Sequence, residues 1–272
     1  MISFPRAKIN IGLRVIRKRN DGFHDIETLF YPVQLCDALE FVIQPGKPVT
    51  DQLTTTGIDI NTRPEKNLVL TALKRIREKY HIPFLRIHLH KAIPSGAGLG
   101  GGSSDAACML VSLNKSFRLD LDEDSLREIA LKIGSDCPFF INPLPSVGTG
   151  RGEKLTTLPP FLEGLHIVLI NPGIRINTRD AYLNTRPGRS KERLEPLIND
   201  NIINWKKYIK NDFEDYVFKV HPLIGDIKKS LYSSGALYAS LSGSGSTVYG
   251  IFEEKPLIRE GLQKYFIWTG RL

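Results

Sequence analysis

The chain has 272 residues, 41% of them hydrophobic and 24% charged, with a formal net charge of +8 at pH 7, a composition ordinary for a soluble globular protein and a length sufficient to bury a substantial core. Three cysteines, Cys36, Cys108 and Cys137, without a Cys-x-x-Cys pair, exclude a disulfide framework and a structural zinc module. No apolar run approaches the ~18 residues of a spanning helix, so the expectation is a soluble, cytoplasmic protein without a membrane segment.

Ile9 to Val15 and Ala38 to Ile43 read as strands from their apolar content. Lys8 and Asn10, two apart in an apolar alternation, point to one face of the first. Asn67 is placed to cap a helix carrying Leu68, Ala72, Leu73 and Ile76. Leu85, Ile87 and Leu89 then alternate with Arg86, His88 and His90, the pattern of a half-buried strand. The two histidines share a face but lack a third ligand, which favours a solvated face over a metal pair.

Next comes Pro94-Ser95-Gly96-Ala97-Gly98-Leu99-Gly100-Gly101-Gly102-Ser103-Ser104-Asp105-Ala106-Ala107. Its glycines tolerate positive φ and leave backbone N–H groups unshielded. Ala106, Ala107, Met109, Leu110 and Leu113 follow at helical spacing, with Ser103 or Ser104 expected as N-cap. Strand, glycine loop and helix together predict a phosphate site at a helix N-terminus. A flexible linker would lack the flanking elements. Gly96, Gly98 and Gly101 do satisfy the dinucleotide fingerprint, yet Lys91 to Ser95 separate the first glycine from the strand, where that fold needs a tight turn. A Walker A loop is excluded because no Gly-Lys-Ser/Thr follows.

Asp122 opens a further helix through Leu126, Ile129, Ala130 and Ile133, with Gly134 expected at C′. The turn cluster Gly148 to Gly152 is the expected lobe boundary, giving lobes 1–152 and 153–272. Leu165 to Ile170 reads as a strand, 184–193 as a polar basic loop, and about Asn199 to Leu231 as helices. Strands Leu237 to Leu241 and Val248 to Phe252 flank Gly243-Ser244-Gly245, which also reads as a hairpin turn. Strands and helices without strict alternation give an α+β class. Basic clusters at Arg14, Arg17, Lys18 and Arg19, at Arg186, Arg189, Lys191 and Arg193, and at Lys206, Lys207 and Lys210 read as a solvated surface or as a field attracting small polyanions. No aromatic-rich basic motif points to nucleic acid.

The glycine segment resembles the central motif of the GHMP kinase superfamily. Pro5-Arg6-Ala7-Lys8-Ile9-Asn10-Ile11 is similar to that family's N-terminal motif, and Leu241-Ser242-Gly243-Ser244-Gly245-Ser246-Thr247-Val248 to its C-terminal glycine motif. Arg19-Asn20-Asp21-Gly22-Phe23-His24 and Gly134-Ser135-Asp136-Cys137-Pro138-Phe139 narrow the resemblance to members that phosphorylate a cytidine diphosphate ester in isoprenoid precursor synthesis. The motifs keep their order from Pro5 to Phe252.

This resemblance implies an ATP-dependent kinase of two lobes, with ATP and a small-molecule substrate in the cleft between them. It implies ATP phosphates cradled by Pro94, Ser95, Gly96, Ala97, Gly98, Leu99, Gly100, Gly101, Gly102, Ser103 and Ser104, with Mg²⁺ carried mostly by phosphates and water and touched by Ser103 or Ser104. Asp136 becomes the base for the substrate hydroxyl, and Lys8 the cation that holds it ionised and steadies the phosphoryl group. Asn10, Phe23, His24, Thr178, Tyr182, Gly243 and Ser244 become substrate contacts, Phe23 and Tyr182 stacking on the pyrimidine. Relatives commonly carry Tyr at position 23, so Phe23 keeps the ring and loses the hydroxyl. Read without the resemblance, Asp136 suits a solvated loop, Lys8 an edge strand and Tyr182 the core. The oligomeric state is not legible in the sequence.

Overall fold

The structure, a computed structural model, describes residues 1–60, 66–188, 193–258 and 260–272. Strands β1 (Ile2–Ser3), β2 (Arg6–Lys18), β3 (His24–Cys36), β4 (Ala38–Ile43) and β5 (Gln52–Gly57) precede helix α1 (Leu68–Arg77) and strand β6 (Leu85–Lys91). Helices α2 (Gly101–Phe117) and α3 (Glu123–Leu131), a 3-10 turn at Cys137–Ile141 and strands β7 (Ser146–Thr149), β8 (Lys154–Thr157) and β9 (His166–Asn171) follow. Then come α4 (Thr178–Leu183), α5 (Trp205–Tyr208), α6 (Glu214–Val220), α7 (Pro222–Ser233), β10 (Tyr238–Leu241), β11 (Val248–Phe252) and β12 (Phe266–Arg271). Arg189 and Lys191 of the expected basic loop lie outside the described residues.

The chain forms two units from interleaved segments. One comprises Met1–Ala7, Leu35–Ser95 and Gly100–Pro143, the other Lys8–Gln34, Gly96–Leu99 and Leu144–Leu272. This differs from a single cut after Gly152: most of β2 and β3 folds with the C-terminal half, because β3 pairs with β7 (Thr28 opposite Gly148, Phe30 opposite Ser146).

In the first unit the sheet runs β1-β4-β6-β5, with β5 parallel to β6 and β4 antiparallel to it. The alternation in β6 holds: Leu85, Ile87 and Leu89 are buried, while Arg86, His88 and His90 are exposed. Thr56 Oγ1 bonds both His88 Nε2 and His90 Nδ1. Val69, Ala72, Leu73 and Ile76 of α1 and Met109, Leu110 and Leu113 of α2 are buried, and truncating one of these leucines, Ile76 or Met109 to Ala costs about 2–5 kcal/mol. Asn67 caps α1 by accepting from Val69 N, and Asp122 caps α3 by accepting from Ser125 N. Helix α3 stops earlier than expected: Lys132 is its C-cap, and Gly134 N donates to Ala130 O without a left-handed turn at the glycine.

The second unit holds two four-stranded sheets, β2-β3-β7-β8 and β10-β11-β9-β12. Its core joins Leu13 and Val15 of β2 to Val168 and Ile170 of β9, Phe213, and Ile224, Ile227 and Leu231 of α7. Among the described residues no helix is long and apolar enough to cross a membrane.

Candidate active site

The glycine loop takes its form from left-handed backbone at Gly96 (φ 62°), Gly98 (φ 79°) and Gly100 (φ 72°). In the second unit, residues 96–99 lie between β2 and the loop joining β10 to β11. Lys8 N donates to Leu99 O at 3.0 Å, Thr247 N to Ala97 O at 3.2 Å, and Ser242 Oγ to Gly98 O at 2.8 Å. A Cβ on Gly98 would sit 2.0 Å from Ser242 O, so only glycine fits there.

The expected face of β2 is present. Lys8, 3% exposed, donates through Nζ to Asn10 Oδ1 at 2.5 Å and to Gly98 O at 3.3 Å. Asn10 Nδ2 donates to Thr28 Oγ1, whose hydroxyl donates to Gly12 O. Asn10 N donates to Ser242 Oγ, and Tyr249 OH donates to Asn10 O. Gly243 lies close by, since a Cβ there would be 3.3 Å from Asn10 Oδ1. Asn211 Nδ2 holds the Gly243 carbonyl at 2.7 Å and the Leu241 carbonyl at 2.9 Å. This packing brings a buried ammonium against the backbone of the glycine loop, where anionic oxygens would be stabilised.

Two further groups belong to the same unit. Ser244 Oγ and Thr178 Oγ1 share a hydrogen bond of 2.9 Å, α4 being started by Asn177 accepting from Arg179 N. His24 stacks on Tyr182 with ring centroids 4.7 Å apart, and Tyr182 sets its edge against Phe213 at 4.9 Å. Tyr182 is half-buried, stacked by His24 and packed toward Phe213 and the core, as its reading as a core aromatic expects. Burial, with Lys18 nearby, holds His24 below the ordinary imidazole value. It is neutral at pH 7, with one N–H donor and one ring acceptor. Phe23 is 51% exposed, and the Arg151 guanidinium lies 4.7 Å from its ring centroid. Asp21 sets this turn by accepting from Phe23 N and pairing with Arg19, which holds its carboxyl below the usual range.

In the first unit the expected cap of α2 is corrected. Its N-cap is Gly100, without a side-chain hydrogen bond, and Ser103 and Ser104 lie inside the first turn. The left-handed glycine brings the backbone into the helix unaided, leaving the N–H groups of the first turn without a side-chain acceptor. Ser103 lies near Cys137, whose thiol burial pushes up to about 12. A Cβ on Gly134 would meet Cys137 Sγ at 3.4 Å and Ser103 Oγ at 4.0 Å. The Gly134–Phe139 segment thus packs beside Ser103. Asp136, half-buried, precedes the 3-10 turn Cys137–Ile141. Among the described residues no three His, Cys, Asp or Glu side chains form a metal site.

The family model described as "GHMP kinases N terminal domain" matches residues 67–142, and "GHMP kinases C terminal" matches 190–267. The chain is 46% identical over 260 residues to 4-diphosphocytidyl-2-C-methyl-D-erythritol kinase of Bacteroides thetaiotaomicron, covering 96% of this chain and 95% of the relative. It is 45% identical over 274 residues to the kinase of that name from Parabacteroides distasonis, covering all of both chains. The chain belongs to the GHMP kinase family. A crystal structure of 4-(cytidine 5'-diphospho)-2C-methyl-D-erythritol kinase superposes on this GHMP kinase with a TM-score of 0.74 at 30% identity, covering 92% of this chain and 90% of the other. Homoserine kinase from Cytophaga hutchinsonii, at 17% identity and a TM-score of 0.67, covers 98% of this chain and 95% of its own and shares the fold.

Sequence reasoning missed several residues that shape the kinase's site: Thr28, Asn211, Ser242 and Tyr249, which orient Asn10 and the last glycine loop, and Arg151 on Phe23. Ser242 alone carried a signal, standing inside the C-terminal glycine motif.

Proposed function

We propose that this chain phosphorylates the C2 hydroxyl of 4-diphosphocytidyl-2-C-methyl-D-erythritol with ATP, a step of non-mevalonate isoprenoid precursor synthesis. The observation that carries the reading is end-to-end identity of 45–46% with kinases of that name. It is supported by a buried Lys8 ammonium bonded to the glycine loop.

In this reading the substrate hydroxyl oxygen attacks the γ-phosphorus, the bond to the β–γ bridging oxygen breaks, and ADP leaves. Asp136 receives the hydroxyl proton, a role worth about 10²–10⁴ in rate. Lys8, oriented by Asn10, supplies positive charge to the transferring group, where fixed charge is worth most. Backbone N–H groups of 94–104 hold the ATP phosphates, and Ser244 with Thr178 bonds the substrate diphosphate. Phe23 and Tyr182 offer rings to the cytosine, and neutral His24 offers its base edge a donor and an acceptor. Ser103, beside the loop, would touch a Mg²⁺ held mostly by phosphates and water, which would supply charge neutralisation at the β- and γ-phosphates; the described residues provide no acidic cage for it. The cytoplasm is the proposed compartment, in keeping with three free cysteines.

Coupled ATP turnover against a panel of alcohols tests the assignment. Turnover of the cytidine diphosphate ester, with homoserine and mevalonate inert, is expected. Preference for either of those two would overturn it.

A further inference from the structure

One charged cluster of the first unit has no part in the reaction as described. Lys91 ends β6, Asp37 lies between β3 and β4, and Asp105 is on α2; their side chains are 3%, 0% and 4% exposed. Lys91 Nζ donates to Asp37 Oδ2 and, at 2.6 Å, to Asp105 Oδ2. Asp37 Oδ1 accepts from Ala92 N at 2.6 Å and from Ile93 N at 2.8 Å. Asp105 Oδ1 has no hydrogen-bond partner among the described residues.

The positions of these bonds in the chain matter. Ile93 immediately precedes Pro94, and Asp105 immediately follows Ser104. The cluster therefore ties together the two ends of the glycine loop. The ammonium also lies under the first turn of α2: a Cβ on Gly101 would be 3.4 Å from Lys91 Nζ and 2.9 Å from Ile93 Cγ2. A loop this rich in glycine has many accessible shapes, and fixing its ends removes most of them. Stability alone gives little reason to bury two carboxylates and an ammonium, since apolar side chains of similar volume often serve as well.

We propose that Asp37, Lys91 and Asp105 form a buried ionic clasp that sets the span between entry and exit of the glycine loop, making Lys91 and Asp105 positioning residues for ATP. The clasp rests on the reading of that loop as the ATP cradle. Its defining property is selectivity: it governs the nucleotide and leaves the alcohol substrate untouched.

The test compares Asp105→Ser with Asp105→Asn in the full-length protein. Serine is too short to reach Lys91, yet leaves the Lys91–Asp37 pair neutral and intact. Asparagine keeps an oxygen for the ammonium. The expected result is a KM for ATP raised about tenfold in Asp105→Ser, an unchanged KM for the cytidine ester, and near wild-type values in Asp105→Asn. Equal ATP KM in all three proteins, or a parallel rise in both KM values, would overturn the clasp. Should Asp105→Ser fail to fold, Lys91→Arg, which keeps the charge and changes the span, is held to the same criterion. Amide exchange of the wild type with ADP separates the two ideas. Protection of 94–104 with no effect of the variants defeats the clasp alone, whereas protection elsewhere defeats the cradle.

Discussion

Gly98→Ala is the smallest change that tests how the glycine loop is held. The new methyl would lie 2.0 Å from Ser242 O, against the 3.0 Å below which Cβ contacts are essentially never found. The backbone is left-handed there, which costs a residue with a Cβ about 1–2 kcal/mol. Relieving the clash draws the Gly98 carbonyl away from Ser242 Oγ and Lys8 Nζ. Each hydrogen bond lost is worth about 1 kcal/mol, so the fold should weaken by roughly 3–4 kcal/mol. The melting temperature should fall by on the order of 10 °C. Activity should suffer more, because a shift of about 1 Å in a positioning element costs about 10²-fold. Differential scanning calorimetry and kcat/KM for ATP read the two effects separately. A variant that melts and turns over like the wild type would refute the placement of this loop against Ser242.

Asp136→Asn should lower kcat by about 10²–10⁴ with ATP affinity near wild type, measured by stopped-assay turnover and calorimetry; normal turnover would remove Asp136 from the proton step. Phe23→Ala should weaken the cytidine ester about ten- to hundredfold in kcat/KM, as expected for loss of a ring contact worth ~1–3 kcal/mol, and leave the KM for ATP alone. Phe23→Tyr should be tolerated. The uridine ester, which exchanges an exocyclic donor for an acceptor, should be rejected, and equal rates on both esters would mean the base is not read. Burial pushes the Asp105 carboxyl up from 3.8 to about 7 against the pull of Lys91, with Asp37 adding to the rise. The native state then keeps a proton that the unfolded chain has released, so this group's contribution to stability falls as pH rises from about 4 to about 7 and is flat above. Asp105→Asn does not titrate, so its melting temperature should gain on the wild type between pH 5 and pH 8; a constant difference would contradict the shift.

What could be read in advance follows from how local each determinant is. The period of β6 and the caps at Asn67 and Asp122 depend on residues within a turn or two, and they stand as expected. The cap of α2 differs from the expectation because two serines after a glycine run look like acceptors, whereas the left-handed Gly100 enters the helix without one and both serines fall inside the first turn. Which of the loop's glycines are left-handed is not local information either: they are Gly96, Gly98 and Gly100, while at Gly101 a Cβ would meet Ile93 Cγ2 at 2.9 Å. Lys8 and Asn10 share a face by simple alternation. Their surroundings do not follow from it, since Thr28, Ser242 and Tyr249 reach Asn10 across up to 239 positions. The interleaved units likewise leave no mark in the turn cluster Gly148 to Gly152, because β3 pairs with β7 across more than 100 positions of chain.

The same span has a consequence for how the protein comes into being. Strand β2 emerges early from the ribosome with nine consecutive buried positions, Ala7 to Val15. Ser242 and Tyr249, which complete the setting of Asn10, are made 232 and 239 positions later, at least ten seconds on at ~5–20 residues per second. During that interval β2 and β3 lack partners for part of their apolar surface, the condition under which nascent chains recruit holdase chaperones or aggregate. A ribosome stalled before β11 would hold a nascent chain in which the β2 strand carrying Lys8 and Asn10 still lacks its support from Tyr249, so competence for phosphoryl transfer arrives late in translation.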